Sequence, residues 1–76
     1  MNIEERLSLL IGQKIDIEIM LYTGKRDYEV GILKEVGKDY LIIEKFFEEK
    51  FVGEELITLE HILSITLHDG GKLSIT

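Results

Sequence analysis

The sequence predicts a mainly β domain in which a short N-terminal helix precedes a small, strongly bent, five-stranded antiparallel barrel. Two apolar runs, Tyr28–Val36 and Asp39–Ile43, flank the turn pair Gly37-Lys38, as in a β-hairpin. Gly31 lies inside the first run, where a lone glycine indicates a bend against another backbone. The 76 residues contain no proline and no linker-like tract, so we expect one domain spanning residues 1–76.

Residues 3–11 have the pattern of a short amphipathic helix. Its apolar residues recur at helical spacing, forming one stripe: Ile3, Leu7, Leu10 and Ile11. Asn2 is a suitable N-cap with Glu5 three residues later, and Gly12 is a suitable stop. Because so short a helix is unstable alone in water, we expect its stripe to cover one end of the barrel.

The barrel is predicted over residues 14–67. Residues 14–21 alternate between apolar and polar side chains, which indicates a half-buried strand, and Thr23–Arg26 form a turn before the hairpin. In Leu41-Ile42-Ile43 both strand faces are apolar. Either both faces are covered within the chain or one of them contacts another subunit.

The second half of the barrel is less regular. We expect residues 46–53 to extend the hairpin strand and turn back at Gly53, burying phenylalanines; an exposed aromatic loop would instead be an interaction site. Leu56–Leu59 and Ile62–Leu67 are predicted strands around a Glu60-His61 corner. After an Asp69–Gly71 turn, residues 72–76 either add an edge strand or fray.

The charge distribution argues against general nucleic-acid binding. The net charge is −6, and the acidic excess lies within residues 27–76. Nucleic-acid affinity depends mainly on cations facing phosphates, so only a local basic patch could bind RNA. The N-terminus lacks a targeting pattern and no apolar run approaches about 20 residues, so we expect a soluble, cytoplasmic protein.

A chain of this size has a small core and few means of reinforcing it. It contains no cysteine and only two histidines, His61 and His68, so we expect no disulfide, no metal site and no cofactor. Self-association or exceptionally good packing must then supply the missing stability. We also expect no enzyme, because no serine lies in a nucleophile motif and Gly70-Gly71 is not a phosphate loop.

The order of elements resembles the Sm-like (LSm) superfamily over about residues 3–67. The helix, IGQKIDIEIMLYTGK, VGIL and DYLIIE resemble the first Sm motif, with Gly24 in the hairpin and Gly31 and Leu33 at the bend. ITLEHILSI, residues 57–65, is similar to the second motif. The resemblance implies an SH3-like barrel whose copies form a cyclic homo-oligomer.

The residues of the family's uridine pocket are absent. The family's Asp, stacking residue and Asn, six, eight and ten positions after the bend glycine, correspond here to Gly37, Asp39 and Leu41. Thr58 and Leu59 stand where archaeal and eukaryotic members have Arg-Gly. His61 alone matches the Tyr-Lys-His of bacterial host-factor members.

The resemblance therefore leaves two functions open. The first is a ring that contacts single-stranded RNA through its hairpin turn and corner, with the candidate residues Lys38, Asp39, Tyr40, Thr58, Glu60 and His61. The second is a self-assembling scaffold or protein-interaction module that has lost RNA binding. In both, the fourth strand pairs with the fifth strand of the next copy, through an interface comprising Leu56, Ile57, Leu59, Ile62, Leu63 and Ile65.

Overall fold

A computed structural model describes residues 2–68 and, as backbone, residues 72–74. The elements follow in chain order as α1 (Ile3–Ser8), β1 (Lys14–Met20), β2 (Arg26–Val36), β3 (Tyr40–Phe47), β4 (Lys50–Thr58), a 3-10 turn (Leu59–His61), β5 (Ile62–Leu67) and β6 (Lys72–Ser74). The strands form one antiparallel sheet in the order β4-β3-β2-β1-β5-β6. The mainly β class, the short N-terminal helix and the antiparallel strands are thus confirmed.

Helix α1 is shorter than predicted. The Asn2 side chain accepts a hydrogen bond from the Glu5 N–H at 2.8 Å, which confirms the cap, and Leu7 is fully buried. The helix ends at Ser8, and tight turns carry the chain onward until Gly12 N–H donates to the Leu33 carbonyl at 2.8 Å. This docking onto β2 leaves Ile11 exposed. The prediction that Ile11 belongs to the buried stripe of the helix was therefore wrong.

The β2–β3 hairpin has the predicted position, and Gly31 lies at a close approach between its strands. A Cβ atom at Gly31 would stand 2.7 Å from the Glu44 carbonyl oxygen of β3. Only a residue without a side chain lets the two backbones come this close. The ladder shifts register between Leu33 and Glu35, which bends β2 further.

The β3–β4 hairpin differs from the prediction. It is long, and it turns at Glu48-Glu49 rather than at Gly53, which lies instead at a register shift within β4. Both glutamates have positive φ, 50° and 67°, as a two-residue type I′ turn requires. Some of the phenylalanines were expected to be buried, but Phe46, Phe47 and Phe51 are all exposed.

The core lies on one face of the curved sheet and beneath α1. Its buried apolar side chains come from α1 and five strands: Leu7, Ile15, Ile17, Leu33, Leu41, Ile43, Ile57, Ile62 and Ile65. Leu41 and Ile43 are buried within the chain, whereas Ile42 is half-buried. Leu21, predicted to continue the buried face of β1, follows the end of that strand and is exposed.

The C-terminal segment forms part of the sheet. Lys72–Ser74 pair with Ser64–Thr66 of β5, so the predicted edge strand is present as β6, while the Asp69–Gly71 turn and residues 75–76 lie outside the described residues. No helix within residues 2–68 is long and apolar enough to cross a membrane.

Candidate functional site

A shallow depression, here the loop depression, lies where the β2–β3 turn meets the 3-10 turn. Its volume is about 380 Å³, and it is lined by Ile3, Lys38, Asp39, Thr58, Leu59 and Glu60. The Leu59 N–H donates to the Asp39 carbonyl at 2.9 Å, and Tyr40 pairs with Thr58 across the β3–β4 ladder. These backbone contacts hold the two turns side by side.

Four of the six RNA-binding candidates thus share the loop depression: Lys38, Asp39, Thr58 and Glu60. Its charged groups are one ammonium and two carboxylates, and all three side chains are exposed. Because nucleic-acid backbones are anionic, the excess of carboxylates opposes their binding. The depression can offer hydrogen bonds to a base, but it has little attraction for phosphate.

Tyr40 is committed to contacts within its own turn. Its ring packs on Gly37, where a Cβ atom would stand 2.0 Å from the ring carbon Cε1. Its hydroxyl donates to the Glu35 carboxylate at 2.6 Å, and this hydrogen bond raises the pKa of the Tyr40 hydroxyl. The ring therefore supports the hairpin turn rather than presenting a free face to a base.

A second depression, here the edge groove, lies beside the edge of β4 that faces away from β3, to which no described strand is paired. It has a volume of about 410 Å³, and its lining comes from the end of β1 and the residues after it, from β4, and from the 3-10 turn: Ile19, Met20, Leu21, Tyr22, Glu55, Leu56, Ile57, Thr58, Glu60 and His61. Leu56 is 58% exposed, and Leu21 and Tyr22 are exposed as well. The groove is therefore a largely apolar surface open to solvent.

His61 faces the edge groove rather than the centre of the loop depression. Its Nδ1 lies 2.8 Å from the Thr58 hydroxyl oxygen, and its ring meets the Tyr22 ring edge to face with centroids 6.2 Å apart. Its Nε2 is 3.8 Å from a Glu60 carboxylate oxygen. These contacts hold the His61 ring along one side of the groove.

Glu55 and Glu60 are the acidic residues of the edge groove, and Lys45 compensates the charge of Glu55. Lys45 Nζ lies 3.2 Å from the Glu55 carboxylate and also contacts Glu29 of β2. The hydrogen bonds that the Lys45 ammonium donates, first to Glu29 and then to Glu55, raise its pKa. A strand placed along β4 would thus meet a carboxylate that already has a cationic partner.

The predicted interface residues divide into two groups. The side chains of Ile57, Ile62 and Ile65 lie in the chain's own core, so only their backbone could contribute to an edge. Leu56 is exposed, while Leu59 and Leu63 are half-buried.

The groove residues that sequence reasoning did not name as site residues are Ile19, Met20, Leu21, Tyr22 and Glu55. Met20 and Tyr22 are apolar where the alternation of β1 requires polar side chains, and that break is the available signal. Within the described residues, no group of three or more His, Asp or Glu side chains is arranged to hold a metal ion.

Comparison of the chain with protein-family models, with curated proteins and with solved structures found no match. The function must therefore be argued from the sheet edges, the two depressions and their charges.

Proposed function

We propose that this chain is a divergent Sm-like protein with an SH3-like barrel, and that its copies assemble into a ring as a scaffold. In the ring, the free edge of β4 pairs with the opposite edge of the next copy's sheet. The observation that carries the proposal is the unpaired edge of β4 beside an apolar groove.

The edges of the sheet support a head-to-tail contact. Among the described strands, β4 pairs only with β3 and β6 only with β5, so each copy has two different free edges. Joining unlike edges is a heterologous contact, which repeats from copy to copy and closes into a ring when the rotation allows. Within the described residues β6 pairs with Ser64–Thr66 of β5 and ends the sheet on that side, so we place the receiving edge at β6.

The apolar lining of the groove supplies a driving force. A strand lying along β4 would remove Leu56, Leu21 and Tyr22 from water, and full burial of a leucine side chain contributes about 1.5–3 kcal/mol. It would also pair the free backbone groups of an edge strand, which are otherwise a liability for aggregation. For a chain with so small a core, this added burial is a substantial share of its stability.

The test compares Leu56→Lys with Val52→Lys by size-exclusion chromatography with light scattering. Both residues are exposed on β4, at 58% and 60%, but only Leu56 lines the edge groove. The wild type should have a mass that is a whole multiple of the chain mass. Leu56→Lys should weaken each contact about tenfold or more and shift the mass downward, whereas Val52→Lys should keep the wild-type mass.

Circular dichroism controls for folding, and neither substitution removes a buried side chain. A monomeric wild type, or an equal loss of mass in both variants, would reject the ring.

Contact with single-stranded RNA is the second candidate function, favoured by one observation: the loop depression joins Lys38, Asp39, Thr58 and Glu60 from two turns. Fluorescent oligo-U and oligo-A titrated at two salt concentrations test it. Low-micromolar binding that weakens with salt and is lost in Lys38→Ala would support RNA contact. No binding would leave the scaffold function alone.

A further inference from the structure

The β3–β4 hairpin separates from β2 after Glu44, while β2 continues along β1. Glu44 pairs with Ile32 of β2, and from Lys45 onward β3 pairs with β4 alone among the described strands. The ribbon ends at the Glu48-Glu49 turn. We call residues 46–52 the hairpin tip.

The hairpin tip presents apolar surface to solvent. Phe46 and Phe51 face each other across the ribbon, edge to face, with centroids 5.9 Å apart. The exposed apolar residues of the tip are Phe46, Phe47, Phe51 and Val52. Phe46 and Phe51 lie on one face of the ribbon and form an exposed aromatic pair of the kind that marks a protein-interaction surface, whereas Phe47 points to the opposite face.

A cleft borders the exposed apolar surface of the hairpin tip. It has a volume of about 500 Å³ and lies between the tip and the outer face of β2, with the lining residues Lys14, Val30, Gly31, Ile32, Phe46, Glu48 and Glu49. Val30 is 45% exposed, so the cleft is apolar on both sides. Its lining includes two carboxylates, of Glu48 and Glu49, and one ammonium, of Lys14.

Glu48 and Glu49 of the turn have a backbone conformation, with positive φ, that glutamate disfavours. Residues other than glycine and asparagine are strained at positive φ, and two-residue turns of this type favour Asn-Gly. Glu48 and Glu49 are also adjacent like charges in a chain already at −6. Strain held at an exposed turn points to a role for these two side chains other than folding.

We infer that the hairpin tip is a docking site for a basic amphipathic segment of another protein. The apolar face of that segment packs into the cleft between Phe46 and Val30, and its Lys or Arg side chains face Glu48 and Glu49. Charge complementarity selects this occupant, because a second copy would bring an equally acidic tip against the first. The site lies beyond the Leu56 part of β4, so it does not depend on ring formation.

The experiment titrates isotope-labelled protein with synthetic helical peptides of about 15 residues, followed by heteronuclear NMR. The probe is an amphipathic Leu/Lys peptide. The comparisons are a Leu/Glu peptide of the same pattern and a Leu/Lys peptide of scrambled pattern. We expect saturable shifts confined to residues near Val30 and the hairpin tip, with the amphipathic Leu/Lys peptide only.

Two variants separate binding from folding. Glu48→Asn with Glu49→Gly supplies the favoured turn residues, so it keeps the fold while weakening binding about three- to tenfold. Phe46→Ser with Phe51→Ser should abolish binding, whereas Leu9→Ser, at an exposed leucine outside both the tip and the edge groove, should not change it.

Equal binding of the Leu/Glu or scrambled peptide, shifts outside the tip, or insensitivity to the turn variant would overturn the inference. So would tighter binding to vesicles of anionic phospholipid, or shifts at the tip that depend on protein concentration without peptide. The first of these two results would assign the patch to membranes, and the second would assign it to self-contact.

Discussion

Replacing Gly31 with alanine tests the bend on which the curvature of the sheet depends. The added Cβ atom would stand 2.7 Å from the Glu44 carbonyl oxygen and 3.1 Å from Ile43 Cβ and Cδ1. The nearest neighbour is backbone, so the strands must separate by several tenths of an ångström. Such overpacking costs about 1–3 kcal/mol, and the smaller unfolded-state entropy of alanine offsets about 0.4–1 kcal/mol of it.

The expected net loss is thus about 1–2 kcal/mol, or a decrease in Tm of about 4–16 °C for a chain of this size. It is measured by urea denaturation and by thermal melting, with Val30→Thr as the control because Val30 is the adjacent, partly exposed residue of β2. The control should change stability by no more than about 0.5 kcal/mol. Adding Ile43→Val should not rescue Gly31→Ala, because the closest contact is a carbonyl. A wild-type or increased stability of Gly31→Ala would refute the close approach.

Three further changes have defined outcomes. Leu7→Ala removes the fully buried side chain of α1 and should lower the free energy of unfolding by about 2–5 kcal/mol in denaturant titrations; a loss below about 1 kcal/mol would mean that the helix does not seal the core. Tyr40→Phe should be less stable than wild type below pH 10.0, because the hydrogen bond to Glu35 favours the protonated hydroxyl in the folded state. That difference should disappear as the pH rises through the raised pKa of the folded protein, and an unchanged difference in alkaline denaturation curves would contradict the assignment. Glu48→Asn with Glu49→Gly should raise Tm by several degrees by relieving the strained turn, and a lower Tm would show that the glutamates stabilise it.

Local chemistry was sufficient to predict the first half of the fold. Asn2 indicated where the helix begins, because its short side chain can accept a hydrogen bond from the Glu5 N–H. Gly37-Lys38 between two apolar runs indicated the β2–β3 hairpin, and Gly31 indicated its bend. In each case the residue type favours one local conformation strongly, so the residue alone predicts the structure at that point.

The β3–β4 hairpin could not be predicted in the same way. Nothing in the turn propensities of glutamate favours positive φ, so Glu48-Glu49 gave no turn signal, while Gly53 gave a misleading one. The expectation that some of the phenylalanines are buried rested on hydrophobicity alone. It failed because β3 separates from β2 after Glu44, and Phe46, Phe47 and Phe51 are exposed.

The candidate sites were predicted in part. The order of strands predicted that the turn with Lys38 and Asp39 lies beside the turn with Thr58 and Glu60, and the structure places these four residues around one depression. The edge groove depends instead on how far β4 stands from the end of β1, a distance that no residue pattern encodes. Tyr22 lines the groove for that reason, and its one sequence signal is the break in the alternation of β1 just before the turn.

Pairing of the β4 edge between copies is most directly tested by native mass spectrometry over a range of protein concentrations. Closure predicts one dominant species of a fixed subunit number that persists on dilution and collapses to monomer in Leu56→Lys. A monomer at every concentration, or a continuous ladder of oligomers without a preferred size, would contradict it.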